Sequence, residues 1–142
     1  PLHCAEHFGT EFLPEGDNGG NRFVVKVTPG GRDARLHGWW DDGIDKAISS
    51  DGLTGAQSVS NAWLRRADLK PTEAEAKNTD WESIAKGHAQ LAAQQVYRGL
   101  TNGGVIPSDY ERRTRDVSRK QTVLAAYRLA AFLNNLLGDE RR

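Results

Sequence analysis

The chain has 142 residues, with 19 lysines and arginines, 19 aspartates and glutamates, and one cysteine. That length suits a single domain with a real core, and the zero formal charge gives no electrostatic case for a nucleic-acid coat protein or a membrane-surface protein. The lone Cys4 excludes an internal disulfide framework. An enzyme acting on nucleic acid stays open, because bound metal cations carry charge that composition does not count.

The chain opens on PLHC, which reads either as a processed terminus or as a protein lacking its front. In the second case the absence of a signal peptide says nothing about compartment. Residues 4–13 suit a short helical or irregular piece, and PEGDNGGN (14–21) is a dense run of turn formers. RFVVKVTP (22–29) is β-branched and partly alternating, which predicts a strand, and GGRDARL (30–36) reads as the return of a small hairpin. From about Leu36 to Ile48 the pattern predicts one helix, SSDGLTG breaks it, and TGAQSVSNAWLRRADL is a second helix candidate. Pro71 opens PTEAEA, read as a linker or short turn.

A third helix is expected to start at an Asp80 N-cap with Glu82 and Ser83 in its first turn. Trp81, Ile84, Ala85, His88, Leu91, Ala92, Val96 and Tyr97 form its apolar stripe, and TNGGVIPSDY ends it. The last segment, roughly Asp109 to Leu137, starts polar and ends in VLAAYRLAAFLNNLL, which reads as a central core helix with Gly138 as its C-cap. No segment is long and apolar enough to span a bilayer as a helix.

The densest chemical signal is RLHGWWDD: His37 and Asp41 stand four apart, a spacing that stacks both side chains on one helix face. A histidine and a carboxylate so placed can share a divalent metal or simply form a surface ion pair. His3 is a possible third ligand or a frayed end, and His7 competes with it. GDNGGN can converge backbone N–H groups on an anion, but it lacks the spacing of a phosphate-loop fingerprint and reads equally as a tight turn before a strand. His88 reads as a packed, hydrogen-bonded core histidine, and ERRTRDVSRK (111–120) as a solvated face with interspersed acids. No serine sits in a nucleophile elbow.

Taken in order, PLH, DNGGN, LHGWWD and YRLAAFLNNLL resemble the C-terminal half of the S1/P1 nuclease family of zinc-dependent single-strand nucleases and 3'-nucleotidases. The resemblance implies a mainly α, helical zinc phosphodiesterase fold of the phospholipase C/P1 nuclease type with a small β-hairpin, truncated at its N-terminus, with residues 1–142 forming the C-terminal portion of a single domain. It implies three Zn ions in the intact domain, with ligands for one of them here: His3, His37 and Asp41, catalytic through the metal. Asn18, Gly19, Gly20 and Asn21 fall on the family's glycine turn beside the nucleotide, Asn18 next to the base slot. Arg35 replaces an asparagine that contacts substrate, and can still bind phosphate bidentately.

The implied activity is endonucleolytic hydrolysis of single-stranded DNA or RNA to 5'-phosphate products, with 3'-nucleotidase activity alongside. The isolated fragment is expected to lack a complete site and to be inactive. Its partners would be a single-stranded nucleic acid or nucleotide and the missing N-terminal half. Its place would be secreted or periplasmic, with a signal peptide in that half. Two other readings stand beside this one: a phospholipase C-like zinc phosphodiesterase and a non-catalytic helical interaction domain.

Overall fold

The computed structural model describes residues 16–138. In chain order the elements are β1 (Val24–Lys26), β2 (Asp33–Arg35), α1 (Leu36–Asp41), α2 (Gly43–Ser50), α3 (Ala56–Trp63), a 3-10 turn (Ala67–Leu69), α4 (Glu73–Lys77), α5 (Trp81–Leu91), a π turn (Ala92–Val96), β3 (Gly104–Val105) and α6 (Tyr110–Gly138). The expected piece at residues 4–13 lies outside the described residues.

The expected hairpin is the larger part of a three-stranded sheet ordered β2-β1-β3. β1 and β2 pair antiparallel, Val25 opposite Ala34. Phe23 and Val25, two apart, are both fully buried, the spacing by which one side of an extended chain enters a core. The added strand came from the segment read only as a helix stop. β3 pairs parallel to β1, with Val25 opposite Gly104 and Lys26 opposite Val105. Gly103 N–H donates to the Val24 carbonyl at 2.8 Å and Ile106 N–H to Lys26 at 2.9 Å.

The single helix expected over 36–48 is two helices with a bend at Asp42 (φ −74°, ψ −5°). Gly43, at the start of the second helix, lets it lie close against α6, because a Cβ there would stand 2.5 Å from Ser118 Oγ and 3.0 Å from Thr114 Cγ2. Helix α2 is seated directly on α6, while α1 turns to a different part of the interior. The expected linker after Pro71 is α4, started by a capping box in which Thr72 and Glu75 satisfy each other's backbone N–H groups. Asp80 caps α5 as expected, accepting from the N–H groups of Glu82 and Ser83. Trp81, placed on the apolar stripe, is instead 69% exposed.

Two clusters make the interior. The first joins Phe23, Val25, Leu36, Trp39, Trp40, Ala92, Val96, Tyr97, Leu100 and Tyr110; the second joins Ala47, Trp63, Leu69 and Val123. Helix α6 runs through both, and here the core expectation is reversed. The buried residues of α6 are Tyr110, Thr114, Arg119 and Val123, all in its first half, whereas Leu129, Phe132, Leu133, Leu136 and Leu137 are exposed. Hydroxyl and guanidinium groups enter the interior because each finds partners there. Trp39 Nε1–H donates to Thr114 Oγ1 at 3.0 Å, and Arg119 holds Asp51 through Nη2 at 2.6 Å and Nε at 2.9 Å.

Candidate active site

The site is built where the glycine turn meets the start of α1. Asn18, Gly19 and Gly20 take positive φ in succession, at 55°, 62° and 86°. Glycine is needed at 20 for space as well: a Cβ would lie 3.0 Å from the His37 backbone nitrogen. The turn closes on itself through Arg22 N–H to the Asp17 carbonyl at 2.9 Å and Asn21 Nδ2–H to the Asn18 carbonyl at 3.0 Å. It is then tied to α1, since Gly20 accepts from His37 N–H at 3.2 Å.

His37 is oriented by the same turn. Its Nδ1 lies 2.8 Å from the Gly19 carbonyl oxygen. A carbonyl can only accept, so Nδ1 carries the proton of this bond. Nε2 is thereby turned toward Asp41, whose Oδ2 is 3.3 Å away, one turn further along the helix. The ring is mostly covered and the carboxylate is solvent-facing. Arg35, the residue before α1, donates from Nη1 to the Asn21 carbonyl. The expected residues Asn18, Gly19, Gly20, Asn21, Arg35, His37 and Asp41 thus meet in one place. His3 lies outside the described residues, as do His7 and Cys4.

Behind this surface stands a layer whose role the sequence did not signal. Asp17 is fully buried, and Tyr97 donates to its Oδ2 at 2.6 Å. Burial, reinforced by Asp17, holds the Tyr97 phenol protonated well beyond the usual range. Tyr110 links two further elements: Trp40 Nε1–H donates to its hydroxyl at 2.8 Å, and the hydroxyl donates to the Val96 carbonyl at 2.6 Å. Both contacts converge on the π turn, where Tyr97 N–H reaches back five residues to the Ala92 carbonyl at 3.0 Å. Tyr97 was placed on an apolar stripe, but its partner is 80 positions away and no local pattern marks such a pair. His88, expected as a packed core histidine, is instead half-buried, and burial holds its imidazole below the ordinary range.

The described residues do not supply the expected zinc donor set. A catalytic zinc needs three protein ligands, and among the described residues no group of three or more His, Cys, Asp or Glu side chains converges. His37 and Asp41 face each other, Asp17 is turned inward to Tyr97, and Asp42 pairs with Lys46 at 3.7 Å. The described residues by themselves therefore do not fit the expected metal site. Among them, no helix is long and apolar enough to cross a membrane.

The family model described as S1/P1 Nuclease matches residues 1–138. Endonuclease 2 of Arabidopsis thaliana is 27% identical over 132 residues, covering 86% of this chain and 44% of that protein. The expected resemblance to a C-terminal half is corrected to a family match over nearly the whole of this chain. The chain spans less than half the length of this curated relative.

Proposed function

The chain belongs to the S1/P1 nuclease family, and from that premise we propose that the protein hydrolyses phosphodiester bonds of single-stranded DNA or RNA at the surface formed by the glycine turn and α1. The observation that carries this reading is the fixed orientation of His37. With Nδ1 held by the Gly19 carbonyl, the atom turned to a substrate is Nε2, and a carboxylate stands 3.3 Å from it. An imidazole and a carboxylate so placed can receive a proton from one oxygen and return it to another. Arg35, anchored at Asn21, brings a guanidinium to the same edge, where its remaining donors can hold a phosphate. Asn18, exposed at the crest of the turn, is placed to meet a base that a stacked duplex would not release.

Hydrolysis of a single-stranded oligonucleotide by the protein and its His37→Ala variant tests the reading. The variant is expected to be slower by roughly 10²–10⁴-fold, the usual contribution of a positioned acid–base group, and an unchanged rate would sink it. Phosphatidylcholine offered in parallel addresses the phospholipase reading, which prevails if the lipid is cleaved faster. Cleavage of neither substrate would favour the non-catalytic reading.

A further inference from the structure

Away from the glycine turn, a cleft of about 370 Å³ lies between the π turn and α6. It is lined by Leu91 and Gln95 from one side and by Arg112, Arg113, Val117 and Lys120 of α6, among others. These cations come from the run 111–120, which in sequence looks like an evenly neutralised, solvated face. The structure divides that run. Arg115 is paired with Glu111 at 2.7 Å, and Arg119 is turned inward to Asp51 at 2.6 Å. The cations that line the cleft are less well matched. Arg112 reaches Asp116 only at 3.8 Å, while Arg113 and Lys120 make no ion pair among the described residues.

Arg113 is held in place all the same. Its Nη2 donates to the Arg98 carbonyl at 3.0 Å and its guanidinium lies over the Tyr110 ring, 4.8 Å from the centroid. Its Nε is buried with no hydrogen-bond partner among the described residues. A buried charged donor left without an acceptor is costly, and such groups are rare in folded proteins. Asp109 and Asp116 also line the cleft, but Asp116 already accepts from Arg119 at 3.1 Å, so much of its charge is spoken for. The cleft borders a π turn, an irregularity that recurs at functional sites.

We propose that this cleft is a second phosphate-binding site, in which Arg113 and Lys120 with the Gln95 amide hold a phosphate group apart from the His37 surface. The donor set suits it: guanidinium and ammonium supply charge, and a neutral amide supplies direction. Tyr110 joins the cleft to the His37 surface mechanically, since the ring that carries Arg113 also packs against Trp39 and Trp40 of α1. The proposal rests on the nuclease reading only in taking a nucleic-acid strand as the source of the phosphate; free phosphate offers the same chemistry.

The test is direct binding, read independently of hydrolysis. Fluorescence anisotropy with a 12-nucleotide single-stranded oligomer is compared for wild type, Lys120→Gln and Arg113→Gln/Lys120→Gln, across a salt series. The double variant is expected to bind roughly five- to tenfold more weakly, and the slope of log K against log salt to become shallower by about 1.4, the counterion release of two single-strand phosphate contacts. Lys120→Gln alone, an exposed position that leaves packing untouched, should give about half that slope change. Inorganic phosphate is titrated separately while the Arg113 Nε–H resonance is followed by NMR. A shift of that resonance without an effect on the oligomer supports the site with free phosphate as its ligand. Unchanged oligomer affinity together with a silent Arg113 resonance overturns the proposal. So does an equal loss in the control Lys70→Gln, which would mean that any cation serves. If the His37→Ala rate is unchanged while these binding effects appear, the fault lies with the His37 reading and not with the cleft.

Discussion

The two buried clusters are held by different chemistry. Around Tyr110, the groups that bind α1 to α6 and to the π turn are neutral: two indole N–H donors, a phenol, a threonine hydroxyl and a backbone carbonyl. Around Trp63, the polar centre is an ion pair, in which Asp51 accepts from Arg119 through both carboxylate oxygens and from Trp63 Nε1 at 2.9 Å. The neutral cluster carries the helix with His37 and Asp41. The charged one fastens α2 to the middle of α6. A neutral network keeps its bonds over a wide pH range, whereas an ionic one depends on each partner staying charged, so the bonds that hold α1 to α6 are the less pH-sensitive ones.

Breaking the ion pair should have the largest effect. Arg119→Met leaves Asp51 partly buried without its main partner, and urea denaturation is expected to show a loss of about 3–5 kcal/mol. Tyr110→Phe removes the acceptor of Trp40 and the donor to Val96 at once, a loss of about 2–3 kcal/mol by the same measurement. Because the two tests strike different clusters, the double variant should show nearly additive losses; strong coupling would mean that the clusters act as one.

Stability against pH sharpens the contrast further. Hydrogen bonds from Arg119 hold Asp51 below its ordinary 3.8. The folded state therefore binds that proton less readily than the unfolded chain. The resulting stabilisation is complete above pH 3.8 and is lost as pH falls through the folded value. Burial raises Tyr97 and Tyr110 above their ordinary 10.0, so their contribution is complete below pH 10.0 and declines as pH rises beyond it. The acid limb of the profile should flatten in Arg119→Met and the alkaline limb in Tyr110→Phe. Loss of both limbs in either variant would contradict the division.

The smallest effects belong to the far end of α6. Val123→Ala, in the second cluster, should cost about 2 kcal/mol, but Leu136→Gln only about 0.5 kcal/mol or less. A large loss for Leu136→Gln in thermal denaturation would show that this end is covered in solution.

Much of the local structure was legible because its causes are local. The Asp80 cap, the strand at 24–26 and the positive-φ turn at 18–20 each follow from side chains within a few positions. The i, i+4 spacing likewise brought His37 and Asp41 together. What escaped depends on partners far along the chain. An apolar run such as 129–137 says that burial would be favourable, not that a surface is available to bury it. Thr114 and Arg119 look like surface residues until Trp39 and Asp51 are placed beside them. The two-residue strand 104–105 exists because β1 offers it an edge. The zinc expectation counted His3, which lies outside the described residues, and of its three ligands the described residues bring His37 and Asp41 together.

The π turn has a consequence for how this region can change. An α-helical turn advances about 100° per residue, and the extra residue at 92–96 sets the angular position of everything after it. Deleting one residue there would restore an ordinary helix and swing the Tyr97 hydroxyl away from Asp17 while carrying the Val96 carbonyl off Tyr110. Substitutions in the segment change one contact each. A change in its length would unfasten the glycine turn and α1 together, so the constraint on this stretch is on residue count more than on residue type.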